Sequence, residues 1–406
     1  MPRHFLFMCH PDHGHVIPNL AVVTELVARG HRVTYLTAPS MAGVVTEAGA
    51  AAVTYPSRYR DADFALVADD PGYLMGVLLD ESEAMLATAT ADLDADRPDC
   101  LVYDTSILYA GRVLARHWDV PAAQVIPVFA SNEHFSFLNA MYNPESAAAE
   151  RPSAERPARM PEWVGATMAR IGALCARYGV TAAPHEVWFE VPPLSLVTVP
   201  REFQYAGDTF DERFAFVGPC VGDRGFLGSW EPPGDDLPVV LVSLGAVFNR
   251  DEGFFRTCVE AFRGRPWRAV MTTGGGVDRA ALGDLPPNVE VHDFVPHVAV
   301  LEHAALCVTH AGMGTVMEAL RSGTPMVCVP GSALDRPTGW RVRELGLGTV
   351  VDPADLTPGA LVEAITAVLG DAGIAARSEL MRKVVAEAGG TVRAADEVER
   401  HLARSR

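Results

Sequence analysis

Apolar residues in this chain come in short unbroken runs, each followed by a stretch in which they recur every three or four positions. His4 to Cys9 is the first run, Asn19 to Ala28 repeats apolar residues at helical spacing until Gly30 stops it, and His31 to Thr37 reads as the next strand. The same order returns at Cys100 to Tyr103, Ile107 to His117 and Ala122 to Ile126. Strands that are apolar throughout are covered on both faces, and their alternation with helices predicts a parallel sheet between two helical layers. A second series predicts a strand at Val239 to Leu244, a helix at Phe254 to Phe262, strands at Arg268 to Thr272, Val289 to His292 and Leu306 to Thr309, and a helix at Thr315 to Arg321.

Between the two series, Glu231 to Pro238 reads Glu-Pro-Pro-Gly-Asp-Asp-Leu-Pro, stiff and polar as a linker is. The 406 residues are therefore expected to form an α/β protein of two Rossmann-like, doubly wound parallel-sheet domains. The N-terminal domain spans 1–212, a linker 213–238 and the C-terminal domain 239–390, while 391–406 is a helix that crosses back to the first domain. Asn143 to Pro161, rich in Ala, Glu, Arg and Pro, reads as an exposed loop or short helix. Open parallel sheets take ligands at the carboxyl ends of their strands, so the site is expected in a cleft that the two domains face.

Composition narrows the class of function. Hydrophobic residues make up 49% and charged residues 21%, enough for each half to bury a core. A net charge of −18 repels phosphate backbones and anionic lipid, so neither nucleic acid nor a membrane is an expected partner. The five-residue apolar run Phe5 to Cys9 is too short for a signal-peptide core, and a cytoplasmic location is expected. Seven scattered cysteines without Cys-x-x-Cys spacing read as buried thiols. The acidic runs Asp61 to Asp63 and Asp92 to Asp96 do not follow buried strands and read as solvated faces, so no metal site is expected.

Two short segments carry candidate chemistry. Thr309 to Thr315 reads Thr-His-Ala-Gly-Met-Gly-Thr and joins a strand to a helix. Gly312 and Gly314 let the backbone approach a ligand closely, and the N–H groups that open the helix, at the positive end of its dipole, cradle a diphosphate. Lacking the Lys of a P-loop, this turn would hold the group by amides such as that of Met313, with His310 and Thr315 adding side-chain donors. An ordinary tight strand-to-helix turn uses the same glycines. In the other half, His13-Gly14-His15 lies on the turn after the first strand, where an imidazole can take the proton of a hydroxyl. Such a base needs a partner that fixes its tautomer, and Asp104, at the end of Cys100 to Tyr103, stands where it can do this or cap the helix that follows.

Taken with its surroundings, the stretch Thr309 to Leu320, preceded by Asn288 to His297, resembles the nucleotide-sugar signature of the GT-B glycosyltransferases. The chain looks most like the antibiotic glycosyltransferases of macrolide and enediyne type. His15 to Pro18, Glu25 to Tyr35, Val128 to Phe137 and Pro200 to Phe210 carry the likeness in the N-terminal half, and the last two look closest to the calicheamicin-type enzymes. The resemblance runs the length of the chain.

It implies a GT-B fold and an inverting transfer of sugar from a nucleotide-sugar to an aglycone bound by the N-terminal domain. No cofactor is expected beyond the nucleotide-sugar co-substrate, the partners are the small-molecule donor and aglycone, and a homodimer stays open. The family's His-x-x-Pro places the base at His15, leaves His13 to the turn or acceptor pocket, gives His10 no role, and sets the paired aspartate at Asp104. Ser243-Leu-Gly245 resembles the family's Ser-x-Gly turn beside the phosphates, although Ala246 stands where many relatives carry a hydroxyl. Phe294 would stack on the nucleobase and the Val295 backbone bond its edge, with Phe in place of the usual Trp leaving uracil and thymine both open.

Pro330 to Pro337 departs from the pattern. Where relatives carry an acid and then Gln to read sugar hydroxyls, the spacing puts Leu334 and Asp335. Leu334 accepts no hydrogen bond, so a hydroxyl facing it goes unpaired at a cost of about 1–3 kcal/mol, and a TDP-deoxysugar is expected over a UDP-sugar. A one-residue shift that gives Asp335 the acid's role is the alternative. Met75, Phe129, Phe135, Phe137, Met141 and Tyr142 are expected either to line an apolar acceptor pocket or to be core. Two other classes compete: a dinucleotide-dependent oxidoreductase, which lacks its Gly-x-Gly-x-x-Gly after the first strand, and a non-catalytic binding protein on the same fold.

Overall fold

The computed structural model describes residues 1–63, 66, 70–142, 161–222, 229–245 and 249–405. They fall into two compact units, the first of residues 1–137, 145–222 and 388–406, the second of residues 138–144 and 223–387.

In the first unit, β1 (His4–Met8), β2 (Arg32–Thr37), β3 (Ala51–Thr54), β4 (Cys100–Asp104), β5 (Ala122–Ile126), β6 (Ser195–Val197) and β7 (Phe214–Phe216) pair in parallel in the order β3-β2-β1-β4-β5-β6-β7. β1 and β4 are buried at every position. Side chains alternate across the pleat, so Phe5, Phe7 and Cys9 enter one core with Val22 and Leu26, and Leu6 and Met8 enter another with Leu86 and Val113. The first core is built on α1 (His13–Ala28), the second on α2 (Pro71–Asp92) and α3 (Leu108–Trp118).

The helix α1 begins six residues earlier than its apolar spacing suggests. Asp12 caps it, accepting the Gly14 N–H at 2.7 Å, and Pro18 is carried inside, where its missing N–H costs the bond to the Gly14 carbonyl. His15 therefore sits in the first turn of a helix rather than on a loop.

The short α4 (Phe137–Tyr142) groups from Leu138 onward with the second unit, which corrects the placing of Met141 and Tyr142 in the first. That unit's sheet runs β8 (Val239–Ser243), β9 (Arg268–Thr272), β10 (Val289–His292), β11 (Ala304–Thr309), β12 (Met326–Cys328) and β13 (Gly348–Val350), paired in parallel in the order β10-β9-β8-β11-β12-β13. Val240 and Val242 face α5 (Glu252–Phe262) through Phe255, Val259 and Phe262. After β11 comes α6 (Met313–Ser322), and after β12 comes α7 (Arg336–Glu344).

The last helix, α8 (Gly390–Arg404), returns to the first unit, where Ala394, Ala395, Val398 and Leu402 join the core of Phe5 and Val22. Arg29 clamps it through Asp396 at 2.6 Å and Glu399, and His31 bonds Glu399 at 2.7 Å.

The expected linker needs correcting, because Phe214–Phe216 is the edge strand β7 and packs on Phe210, so the first unit reaches residue 222. Residues 143–160 of the expected loop lie outside the described residues. All seven cysteines are buried and unpaired. Among the described residues no single helix is long and apolar enough to cross a membrane.

In each sheet the strand order reverses beside its first strand, with β1 between β2 and β4 and β8 between β9 and β11. A ligand site in an open parallel sheet forms at the carboxyl ends of the strands flanking such a reversal. Cys9 to His15 and Asp104 occupy that place in the first unit, and Ser243 to Gly245 and His310 to Thr315 occupy it in the second.

Candidate active site

In the first unit, His15 Nδ1 lies 2.9 Å from Asp104 Oδ1. The Asp104 side chain has no solvent exposure and that of His15 has 21%. A carboxylate only accepts, so the ring proton belongs on Nδ1 and the lone pair on Nε2, the nitrogen a base uses.

Asp104 is held by more than His15. The Ser106 N–H and hydroxyl donate to the same Oδ1 at 2.8 and 2.6 Å, and His10 Nδ1 bonds the Ser106 hydroxyl in turn. With the hydroxyl proton on Asp104, His10 must donate from Nδ1, which runs a chain of donors from His10 through Ser106 to the carboxylate. The rings of His10 and His15 lie 4.4 Å apart.

Charge follows from these contacts. Burial opposes an imidazolium at His15, but the charge and hydrogen bond of Asp104, with the charge of Asp12, outweigh it and raise its pKa above the ordinary value. Burial also opposes the Asp104 carboxylate, and His15, His10 and Ser106 together bring its pKa below the usual value. His10 is pushed down to about 4, by burial first and then by the charge of His15, so it stays neutral when His15 is charged. His13, half-buried in the first turn of α1, is lowered chiefly by burial and has no part in this network.

The sequence offered no role for His10 or Ser106, whose partnership spans 96 residues. The visible trace was the Asp-Thr-Ser at 104–106, where Asp104 also caps a short turn by accepting from Ser106. Cys9 adds a buried thiol to the same corner, close enough to join the two histidines and Asp104 around one ion.

In the second unit, α6 starts at Met313 with Gly312 as its N-cap, and no side chain caps it. The amides of Met313, Gly314 and Thr315 thus face outward at the positive end of the helix dipole. His310 wedges between two glycines: a Cβ on Gly312 would stand 2.3 Å from its Nε2, and one on Gly245, at φ +71, would stand 2.7 Å from its Cε1. The Ser243 hydroxyl accepts the Gly245 N–H at 3.1 Å and shapes that turn. Ala246 lies outside the described residues.

Phe294 is 55% exposed, while Val295 beside it is buried. The Pro330 to Pro337 segment holds the two residues expected at the donor sugar, Leu334 and Asp335. Asp335 is buried at the start of α7, accepts the Ser332 hydroxyl at 2.6 Å through Oδ2, and turns Oδ1 to within 3.9 Å of His310 Nε2. Burial raises its pKa, and His310 and Ser332 offset this in part. Leu334 beside it is half-buried.

The expected acceptor residues divide. Phe129 is 1% exposed, stacks on Phe203 and meets Tyr205 edge-on, which makes it core rather than pocket wall. Phe135 is buried on Tyr205, Met75 lies under the Tyr109 hydroxyl, and Met141 is buried. Phe137 and Tyr142 are half-buried.

Two doubly wound sheets with candidate sites at both reversals define a GT-B glycosyltransferase, and comparison with known proteins agrees. Residues 270–397 match the family model of the erythromycin biosynthesis protein CIII-like C-terminal domain. The chain is 40% identical to the demethyllactenocin mycarosyltransferase of Streptomyces fradiae, covering 98% of this chain and 86% of that one. It is 38% identical to the oleandomycin glycosyltransferase of Streptomyces antibioticus, over 99% and 91%. The structure of the calicheamicin glycosyltransferase CalG4 superposes with a TM-score of 0.85 at 41% identity, covering 100% of this chain and 99% of that one. The chain belongs to the antibiotic glycosyltransferases of the GT-B fold and is an enzyme of that class, which favours this reading over the oxidoreductase and non-catalytic alternatives.

Proposed function

We propose that the enzyme moves a deoxysugar from a TDP-sugar, in preference to a UDP-sugar, onto a hydroxyl of a bulky apolar natural product of the macrolide or enediyne kind. The transfer inverts the anomeric carbon and uses no metal or other cofactor. His15 Nε2 takes the hydroxyl proton as the oxygen bonds to the anomeric carbon, and the bond from that carbon to the diphosphate breaks with its electron pair leaving on phosphate oxygen. Asp104 stabilises the imidazolium that results. The amides of Met313, Gly314 and Thr315 receive the departing charge, a task the dipole of α6 supports. Phe294 stacks on the base of the nucleotide and Val295 bonds its edge.

The observation that carries this reading is the 2.9 Å bond from His15 to a carboxylate that has no solvent exposure. Support for a deoxysugar comes from the 330–337 segment, where Leu334 is apolar and Asp335, buried, accepts the Ser332 hydroxyl through Oδ2. Calorimetric titration of TDP, UDP and NAD tests the donor assignment: TDP binds most tightly and NAD gives no heat. NAD binding more tightly than either diphosphate overturns it.

A further inference from the structure

The corner that holds His15 contains one more side chain than proton transfer requires. Cys9, His10, His15 and Asp104 each bring one potential ligand atom to within 4.8 Å of the others. Cys9, His10 and Asp104 are buried, and His15 alone reaches solvent, which gives the cluster a single open side. A second observation marks it as a site: all three hydrogen bonds to Asp104 fall on Oδ1, while Oδ2 is buried with no partner among the described residues. A buried carboxylate oxygen without a donor is costly, and a cation beside it removes the cost.

We propose that Cys9, His10, His15 and Asp104 form a binding site for a thiophilic divalent cation of the Zn²⁺ class, whose occupancy withdraws His15 from catalysis. The donor set is the argument for the ion. One sulfur, two imidazole nitrogens and one carboxylate oxygen suit zinc, and a hard ion such as Mg²⁺ wants oxygen throughout. Tetrahedral zinc holds such atoms about 3.5 Å apart, so the cluster needs to close by little more than about 1 Å. Charge balances as well. Zinc displaces the thiol proton to solvent, and its two positive charges meet one thiolate and one carboxylate, leaving a neutral site in a buried place.

Metal binding stands apart from the role given to His15 as base, and only its effect on turnover rests on that role. The full-length protein, stripped with chelator, is titrated with Zn²⁺ against a chromophoric chelator, with Mg²⁺ as the control ion. One equivalent of zinc binds, Mg²⁺ does not, and Cys9→Ala weakens zinc by about tenfold or more while turning over sugar as the parent does. Zinc suppresses turnover of the parent, EDTA restores it, and the Cys9→Ala enzyme resists. Zinc affinity equal in parent and Cys9→Ala overturns the site, since other histidines then hold the ion. X-ray absorption at the zinc edge covers a variant that does not fold: one sulfur in the first shell of the parent supports the site and a shell of only nitrogen and oxygen overturns it. Zinc held through Cys9 with turnover untouched overturns the withdrawal of His15, and the loss of transfer by His15→Ala then decides separately whether His15 is the base.

Discussion

Asp335 turns away from solvent and toward His310, with 3.9 Å between its Oδ1 and the imidazole Nε2. The carboxylate that the family pattern suggests for sugar hydroxyls thus faces the histidine of the turn proposed to hold the diphosphate. Asp335→Asn is then expected to weaken TDP by about fivefold, the scale of one such polar contact, and to leave the preference between UDP-glucose and a TDP-deoxysugar unchanged. Calorimetry with TDP and the ratio of kcat/KM for the two donors check this. A shifted donor preference with unchanged TDP affinity returns Asp335 to the sugar.

Gly314 separates ligand binding from folding. Nothing lies within 4 Å of a Cβ placed there, and the residue stands in the first turn of α6, where Ala is the better helix former by about 1 kcal/mol. Gly314→Ala should keep or raise Tm while reducing TDP affinity, because the added methyl stands where the diphosphate is proposed to meet the amides. Unchanged affinity places the diphosphate elsewhere. Gly312→Ala should lower both, since its methyl meets His310.

The pH profile follows from the dyad. The proposed base His15 works only when neutral, so kcat/KM should fall as pH drops through its pKa, and because that pKa is raised the acid limb should lie above the ordinary 6.5. Asp104→Asn removes the main raising influence and leaves burial, which lowers it. The limb should move to lower pH while the plateau falls by about 10²–10⁴-fold. A plateau that falls with no movement of the limb assigns the titration to another group.

The last helix is part of the first unit's core. Leu402→Ala is expected to cost about 2–5 kcal/mol, read as a lower urea midpoint, because Leu402 packs with Ala394, Val398 and the residues of α1. An unchanged midpoint means α8 contributes nothing to that core.

How much of this was legible depended on burial and on distance along the chain. The central strands β1, β4 and β8 show in the sequence because burial on both faces makes them apolar without interruption. Three-residue strands such as β6, β7 and β12 carry no periodicity, which is why β7 read as linker. Pro18 hid the start of α1, because its effect on helix spacing is stronger than the signal of a single capping Asp12. His15 and Asp104 were picked out by motif and by position after strands. His10 and Ser106 were not, because their roles arise only when β1 and β4 lie side by side. The inward turn of Asp335 depends on Ser332 and His310 and leaves no trace in spacing.

Single-turnover transfer by His15→Ala, with a saturating TDP-sugar and the best acceptor from a panel of bulky alcohols and phenols, tests the whole reading most directly. The rate should fall by about 10²–10⁴-fold while TDP affinity stays that of the parent. Transfer at the parental rate contradicts the account.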